Sequence, residues 1–255
     1  MAASNILVVY TFTHPWIQQV IREVAPPEFE VKFIDPKDIQ ELYSVLPQAD
    51  FLVTTSLPAA WVPLLRRCRL VQHQGVGYDE VDLEALRQAG IPFAVTPEGT
   101  VTAVAEHTIL LILALYKQLL PVAESLRRGE FDMIGWRPGC RLLAGKLIGI
   151  VGFGRIGRRV AMLARAFEAR VAYYDPVRSP EAERELGATF IPFSELLSQS
   201  DIISVHVPLT PETDYLFNSH TFAQMKRGAI FINTSRGRTY DMNALYEALR
   251  SGQLG

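Results

Sequence analysis

The sequence predicts an α/β protein made of two parallel-sheet lobes. Three observations lead there. Short runs that are apolar at consecutive positions alternate with amphipathic stretches, the pattern of parallel strands covered by helices on both faces. The alternation runs twice along the 255 residues and is interrupted once, in the middle, by a long apolar helix. The second series opens on a glycine-rich turn between a strand and a helix, and it holds five strands, one short of a full doubly wound sheet.

In the first series, residues 6–9, 31–34, 51–54, 70–73 and 92–95 read as strands, each rich in Val, Ile, Leu or Phe. Between them, residues 16–24, 39–46, 62–68 and 83–89 carry helical spacing of apolar positions. After Thr96-Pro97-Glu98-Gly99, residues 100–128 read as one helical stretch with Pro121 its main breaker. Its middle, HTILLILALY, is apolar all round, which a surface helix cannot be. Burial between lobes or in a subunit contact is therefore expected, with His107 a packed core residue. Residues 129–145 read as irregular, with a loop at WRPG.

The second series places strands at 147–151, 170–174, 189–191, 202–205 and 229–233. Helices fall at 155–167, 181–186, 194–198, 221–225 and 241–249. Met242, Leu245 and Leu249 give the last of these an apolar stripe that needs a sheet beneath it. No strand follows, so the sequence reads as C-terminally incomplete.

Composition narrows the functional classes. Lys plus Arg is 25 against 27 for Asp plus Glu, a net charge of −2, which offers no field for nucleic acid or an anionic membrane. Hydrophobic residues make up 49% and charged ones 20%, enough apolar surface to bury a core. Cys68 and Cys140 lie 72 positions apart, which suits neither a disulfide framework nor a metal site, and no metal is expected. The apolar run 109–115 is far shorter than the roughly 20 residues of a membrane span. The N-terminus, MAASNILVVY, lacks the basic start and long apolar core of a secretory signal. A reduced, cytoplasmic protein with neither nucleic acid nor membrane as partner is expected.

Gly152-Phe153-Gly154-Arg155-Ile156-Gly157 follows the apolar strand LIGIV and opens an amphipathic helix. Gly152 permits a tight turn, Gly154 lets backbone approach a pyrophosphate, and Gly157 lets helix and strand pack closely. The helix N-terminus would then present free N–H groups and its positive dipole end to phosphates. Eighteen residues past Gly157 stands Asp175, placed to accept both ribose hydroxyls and to repel a 2′-phosphate, which favours NAD over NADP. The plainer reading has Asp175 merely starting a turn with Pro176. Arg178, close by, could tolerate a phosphate.

Asn233-Thr234-Ser235-Arg236-Gly237 comes directly after another apolar strand, AIFIN. Ligands of open parallel sheets lie beyond the carboxyl ends of the strands, so Arg236 would enter the cofactor cleft. A guanidinium there can clamp a carboxylate through two hydrogen bonds and polarise the adjoining carbonyl. The plainer alternative pairs it with a surface acid such as Asp241.

GFGRIG, YYDP, HVPLTPET and NTSRG, in this order and each after a strand, resemble the D-isomer-specific 2-hydroxyacid dehydrogenases. HQGVGYDEVDLEAL and TPEGTVTAVAEHT are similar to the same family, so the likeness spans nearly the whole chain. The resemblance implies a flavodoxin-like substrate lobe over 1–98 and a Rossmann NAD lobe over 99–255 that lacks its last strand or strands, with a cleft between them. It implies NAD as cofactor and a small 2-keto or 2-hydroxy acid as substrate. A homodimer through the helix around 101–120 is implied as well. Arg155 and Ile156 would lie on the pyrophosphate and Asp175 on the adenosine ribose. Val207 and Pro208 would flank the adenine side, with Thr213 nearby. Thr234 would reach the nicotinamide end through its backbone, with Ser235 and His206 beside it. Arg236 matches the catalytic arginine, and N–H groups around Val76 and Gly77 would bind the substrate carboxylate.

The family's acid–base histidine and its supporting carboxylate lie downstream of the helix after the arginine motif, and neither has a counterpart in this sequence. Of the five histidines, His14, His73, His107, His206 and His220, none reads as the proton donor that hydride transfer to a ketone needs. His220 reads as a helix cap. The expected activity is reversible hydride transfer between NAD(H) and a D-2-hydroxy acid, weak or absent in these 255 residues alone. A non-catalytic NAD(H)-binding protein of the redox-sensing corepressor type is the alternative.

Overall fold

The computed structural model describes residues 6–12 and 14–255, so the first five residues of the N-terminal segment read above lie outside it. The chain divides into two compact units at Thr100 and Val101.

The first unit is a five-stranded, wholly parallel sheet in the order β2-β1-β3-β4-β5. Its elements are β1 (Ile6–Tyr10), α1 (Pro15–Val24), β2 (Phe29–Phe33), α2 (Ile39–Val45), β3 (Phe51–Thr54), β4 (Leu70–His73), α3 (Leu83–Gln88) and β5 (Phe93–Val95). This is the flavodoxin-like order. Val9, Leu52 and Val71 in the central strands are fully buried against Leu42, Leu46 and Leu86.

The helix expected over 62–68 does not form; a 3-10 turn occupies Ala59–Leu64 instead. Val62, Leu65 and Cys68 are all buried, and their spacing of three is the repeat of a 3-10 turn rather than of an α-helix.

The second unit begins on two helices, α4 (Thr100–Tyr116) and α5 (Leu119–Arg127), where one was expected. The break is Gln118, left-handed at φ 51°, and the helix axes bend there by 64°. Pro121 accounts for it. In a continuous helix its ring would strike the carbonyl of Lys117, whereas in the first turn of α5 its missing N–H costs nothing. Ala105, Thr108, Ile109, Ile112 and Tyr116 form the buried face of α4, while Leu110 and Leu115 are exposed. His107 is exposed too, so its reading as a core residue was wrong. Among the described residues no single helix is long and apolar enough to cross a membrane.

The sheet follows: β6 (Leu147–Val151), α6 (Arg155–Ala166), β7 (Arg170–Tyr174), α7 (Pro180–Leu186), β8 (Ala188–Phe190), α8 (Phe193–Gln199), β9 (Ile202–Val205), α9 (Ser219–Gln224), β10 (Ile230–Asn233) and α10 (Met242–Arg250). All five strands are parallel, in the order β10-β9-β6-β7-β8. The chain reverses its direction of winding between β6 and β9, and ligands of such sheets sit at that switch point.

One expectation at the end of the chain is corrected. Ala248 is buried with Ala244 and Leu245 packed near it, while Met242 and Leu249 are exposed, so the inward stripe of α10 is not the one read from the sequence. The residues after α10 also meet the sheet. Leu254 bridges Ala229 in parallel, and the Gly255 N–H donates to the Ala229 carbonyl at 3.0 Å.

Candidate functional site

The two strands at the switch point touch through Gly152. It turns the chain at φ +94°, and a Cβ on it would lie 2.8 Å from the backbone carbon of His206, the first residue past β9. Gly157 is equally constrained, since a Cβ there would lie 2.2 Å from the Gly152 carbonyl oxygen. Gly154 differs. It caps α6 at φ −76° with no side-chain hydrogen bond to the first turn, and a Cβ on it would meet nothing within 4 Å. Two glycines thus serve packing, and the third borders open space over uncapped helix N–H groups. A pyrophosphate fits this combination. Arg155 is exposed at the first turn, whereas Ile156 turns its side chain toward the core and leaves its backbone for the ligand.

Asp175, immediately after β7, is fixed by two backbone donors. Its Oδ2 accepts from the Phe153 N–H at 2.8 Å and its Oδ1 from the Val177 N–H at 2.9 Å. The second bond is the turn that the plainer reading predicted; the first ties the acid to the glycine loop. The turn does not exclude the other reading, because a carboxylate has lone pairs enough for two amides and a ribose diol.

Past β10, the Asn233 side chain folds the arginine loop. Its Oδ1 accepts from the Ser235 N–H at 2.9 Å and hydroxyl at 2.7 Å, and its amide donates to the Arg236 carbonyl at 3.0 Å. Arg236 is half-buried, with one guanidinium nitrogen donating to the Ser235 carbonyl at 3.0 Å. Asp241 caps α10, accepting from the Asn243 and Ala244 N–H groups.

His206 lies between these two loops. Its Nε2 pairs with the Ser204 hydroxyl at 2.8 Å, and its Nδ1 makes a long contact of 3.5 Å with the Thr234 hydroxyl. Thr234 in turn meets the Thr108 hydroxyl of α4 at 3.1 Å. Burial pushes the imidazole down to about 4, so it is neutral at physiological pH. Val207 and Pro208 continue from His206, and Thr213 closes the following turn by donating to the Pro208 carbonyl at 2.6 Å. His220 does not cap a helix; Asn218 does, accepting from the His220 N–H at 3.0 Å.

In the first unit, Val76 and Gly77 follow Gly75, which is left of any ordinary L conformation at φ +133°. Their N–H groups have no hydrogen-bond partner among the described residues, as an anion nest requires. Beneath this loop lies His73, almost wholly buried, with Nε2 on the Thr55 carbonyl at 3.0 Å and Nδ1 buried without a partner. Sequence reasoning passed over Thr108 and His73. HQGVG could have flagged the histidine, but no local signal marks Thr108, whose partner is 126 residues away. Among the described residues no cluster of His, Cys, Asp and Glu could hold a metal ion.

A parallel sheet with a glycine turn at its switch point and an acid at the end of the next strand defines a dinucleotide-binding domain. Residues 109–255 match the family model for the D-isomer specific 2-hydroxyacid dehydrogenase, NAD binding domain. The chain belongs to that family, and NAD is its cofactor. It is 35% identical to a glyoxylate reductase of Korarchaeum cryptofilum over 91% of its own length and 68% of the relative's. It is 39% identical to one of Thermococcus litoralis over 79% of its own length and 62% of that relative's. The D-lactate dehydrogenase of Aquifex aeolicus, solved with NAD and lactic acid, superposes with a TM-score of 0.83 at 30% identity, over 97% of this chain and 74% of the other.

Proposed function

We propose that this chain serves NAD-linked hydride transfer between a 2-keto acid and the matching D-2-hydroxy acid, with turnover weak or absent in these 255 residues alone because none of them is assigned the proton transfer. The observation that carries this reading is the open space at Gly154, beside an Asp175 bonded to the same loop. The names of the relatives support glyoxylate-like substrates. NAD, when bound, accepts or supplies the hydride.

The residues of the chain orient the reactants. Backbone N–H groups of Arg155 and Ile156 hold the pyrophosphate, and Asp175 accepts the ribose hydroxyls. Val207, Pro208 and Thr213 border the adenine side; Thr234, Ser235 and His206 border the nicotinamide. Arg236 clamps the substrate and draws charge onto its carbonyl oxygen, and the Val76–Gly77 amides take the substrate carboxylate. His206 is not assigned the proton transfer. An imidazole neutral down to about 4 has a poor acid's population of protons at pH 7, and its nitrogens face Ser204 and Thr234.

The apolar face of α4 and α5 that is not buried supports a homodimer. Leu110, Leu115, Leu119 and Leu120 are exposed there, and Phe131 and Ile134 in the following loop are 78% and 70% exposed. Calorimetric titration with both nucleotides tests the cofactor site. NADH should bind at least about tenfold more tightly than NADPH, and Asp175→Ala should narrow that gap by admitting NADPH. Equal affinities in the unaltered chain would reject the role given to Asp175.

A further inference from the structure

Three residues past Asp175, in the loop that follows β7, stands a second charged group. Arg178 is mostly exposed, and its guanidinium is already gripped. Its Nε donates to Glu183 Oε1 at 2.8 Å and its Nη2 to Glu183 Oε2 at 3.0 Å, the two-point fork that arginine also offers to phosphate. Glu183, on α7, is mostly buried and is itself held. The Tyr173 hydroxyl donates to its Oε1 at 2.9 Å, and the same hydroxyl accepts from the Ser179 N–H at 2.9 Å. The Tyr173 ring stacks on Phe153 at 3.8 Å between centroids, and the Phe153 N–H is the group bonded to Asp175. A continuous set of contacts therefore runs from the glycine loop to the Arg178 guanidinium.

We infer that Glu183 is a specificity-determining residue, which favours NAD over NADP by keeping Arg178 turned away from the 2′ position of the adenosine ribose. The inference rests on the placement of that ribose at Asp175. The Val177 N–H lies against Asp175 Oδ1, so Arg178 starts one residue from the amide that touches the acid and has the reach to serve a 2′-phosphate. With its fork filled by the Glu183 carboxylate, the pair as a whole carries no net charge. The local field is then set by Asp175, which repels a phosphate. Asp175 alone does not decide the matter in a chain with an arginine three residues further on. Discrimination needs the cation neutralised as well as the anion present.

The test is calorimetric titration of NADH and NADPH into the full chain and three variants. Glu183→Gln keeps a side-chain oxygen for the Tyr173 hydroxyl and removes the charge. NADPH should then bind about tenfold more tightly, the effect of one charge-assisted hydrogen bond, with NADH changed less than about twofold. Arg178→Gln added to Glu183→Gln should abolish that gain. Arg178→Gln alone should not raise NADPH affinity, because it offers no cation to the 2′-phosphate and leaves the Glu183 carboxylate unpaired. A Glu183→Gln chain with the original NADPH-to-NADH ratio overturns the inference, as does a gain that survives in the double variant. A rise of NADPH affinity in Arg178→Gln alone also overturns it, and this arm holds even where Glu183→Gln folds poorly. A chain that binds neither nucleotide overturns the placement of the ribose and the inference together. One that binds NADH but ignores all three substitutions overturns the inference only.

Discussion

The hydroxyl of Thr108, in the middle of α4, lies 3.1 Å from the hydroxyl of Thr234, in the loop that leaves β10. Thr108 is fully buried and also donates to the Val104 carbonyl at 2.8 Å, so its proton is committed and Thr234 must be the donor between them. The first helix of the second unit thereby holds the loop that carries Arg236. Thr108→Val should cost about 1 kcal/mol, since it leaves the half-buried Thr234 hydroxyl without its acceptor. Thr108→Ser, which keeps both bonds, should recover most of the loss. Chemical denaturation measures both; equal midpoints for Val and Ser would show that the hydroxyl pair carries no stability.

The glycines of the loop should separate cleanly under substitution. Gly154→Ala places a methyl in open space on an ordinary backbone conformation, so melting temperature should hold while NADH binding weakens by tenfold or more, about 1.4 kcal/mol. Gly157→Ala drives a methyl into the Gly152 carbonyl and should lower stability by about 1–3 kcal/mol. Thermal melts paired with nucleotide titration distinguish them. A Gly154→Ala chain with unchanged NADH affinity would remove the pyrophosphate from this spot.

Stability should depend on pH through His206. The folded imidazole resists protonation down to about 4, while the unfolded one takes a proton near its ordinary 6.5. The contribution is complete above 6.5, declines as pH falls toward 4, and levels off below. The full gap is worth about 3 kcal/mol, and because the residue keeps some solvent contact about 2 kcal/mol is expected. Denaturation of the wild type and of His206→Gln at pH 7.5 and pH 4.5, values spanning roughly this range, should show the difference shrinking at the lower pH. Parallel pH profiles would mean that the ring charges in the folded state.

Arg236→Lys keeps the charge and loses the planar fork. With glyoxylate, hydroxypyruvate or pyruvate, NADH oxidation should fall by about 10²–10³, the usual cost of one preorganised donor at a developing oxyanion. Absorbance of NADH reports it directly. Unaltered turnover would take Arg236 out of the reaction.

Assembly should be sensitive to α5. Leu120→Lys combined with Phe131→Lys puts two charges on side chains that are 76% and 78% exposed, so the fold should survive and the dimer should not. Light scattering gives the mass of each. A monodisperse monomer in the unaltered chain would dispose of the dimer.

Residue order alone determined the sheets and the glycine turn. Runs such as LIGIV and IISV have one stable environment, a strand covered on both faces, and the strands at 51–54, 70–73, 147–151, 170–174 and 202–205 occupy the residues expected of them. GFGRIG, Asp175 and Arg236 were legible for the same reason: each stands at a fixed distance from a strand end, and the parallel fold brings those ends to one rim. Contacts between distant segments were not legible. Pro121 was noticed, yet whether it bends a helix or ends one depends on what each half packs against. His107 and the stripe of α10 were misjudged because apolar neighbours in sequence do not say which side of a helix meets the sheet. The pairings of Thr108 with Thr234 and of Arg178 with Glu183 belong to the folded chain alone, since a side chain's partner is chosen by the packing that brings the two within hydrogen-bond reach.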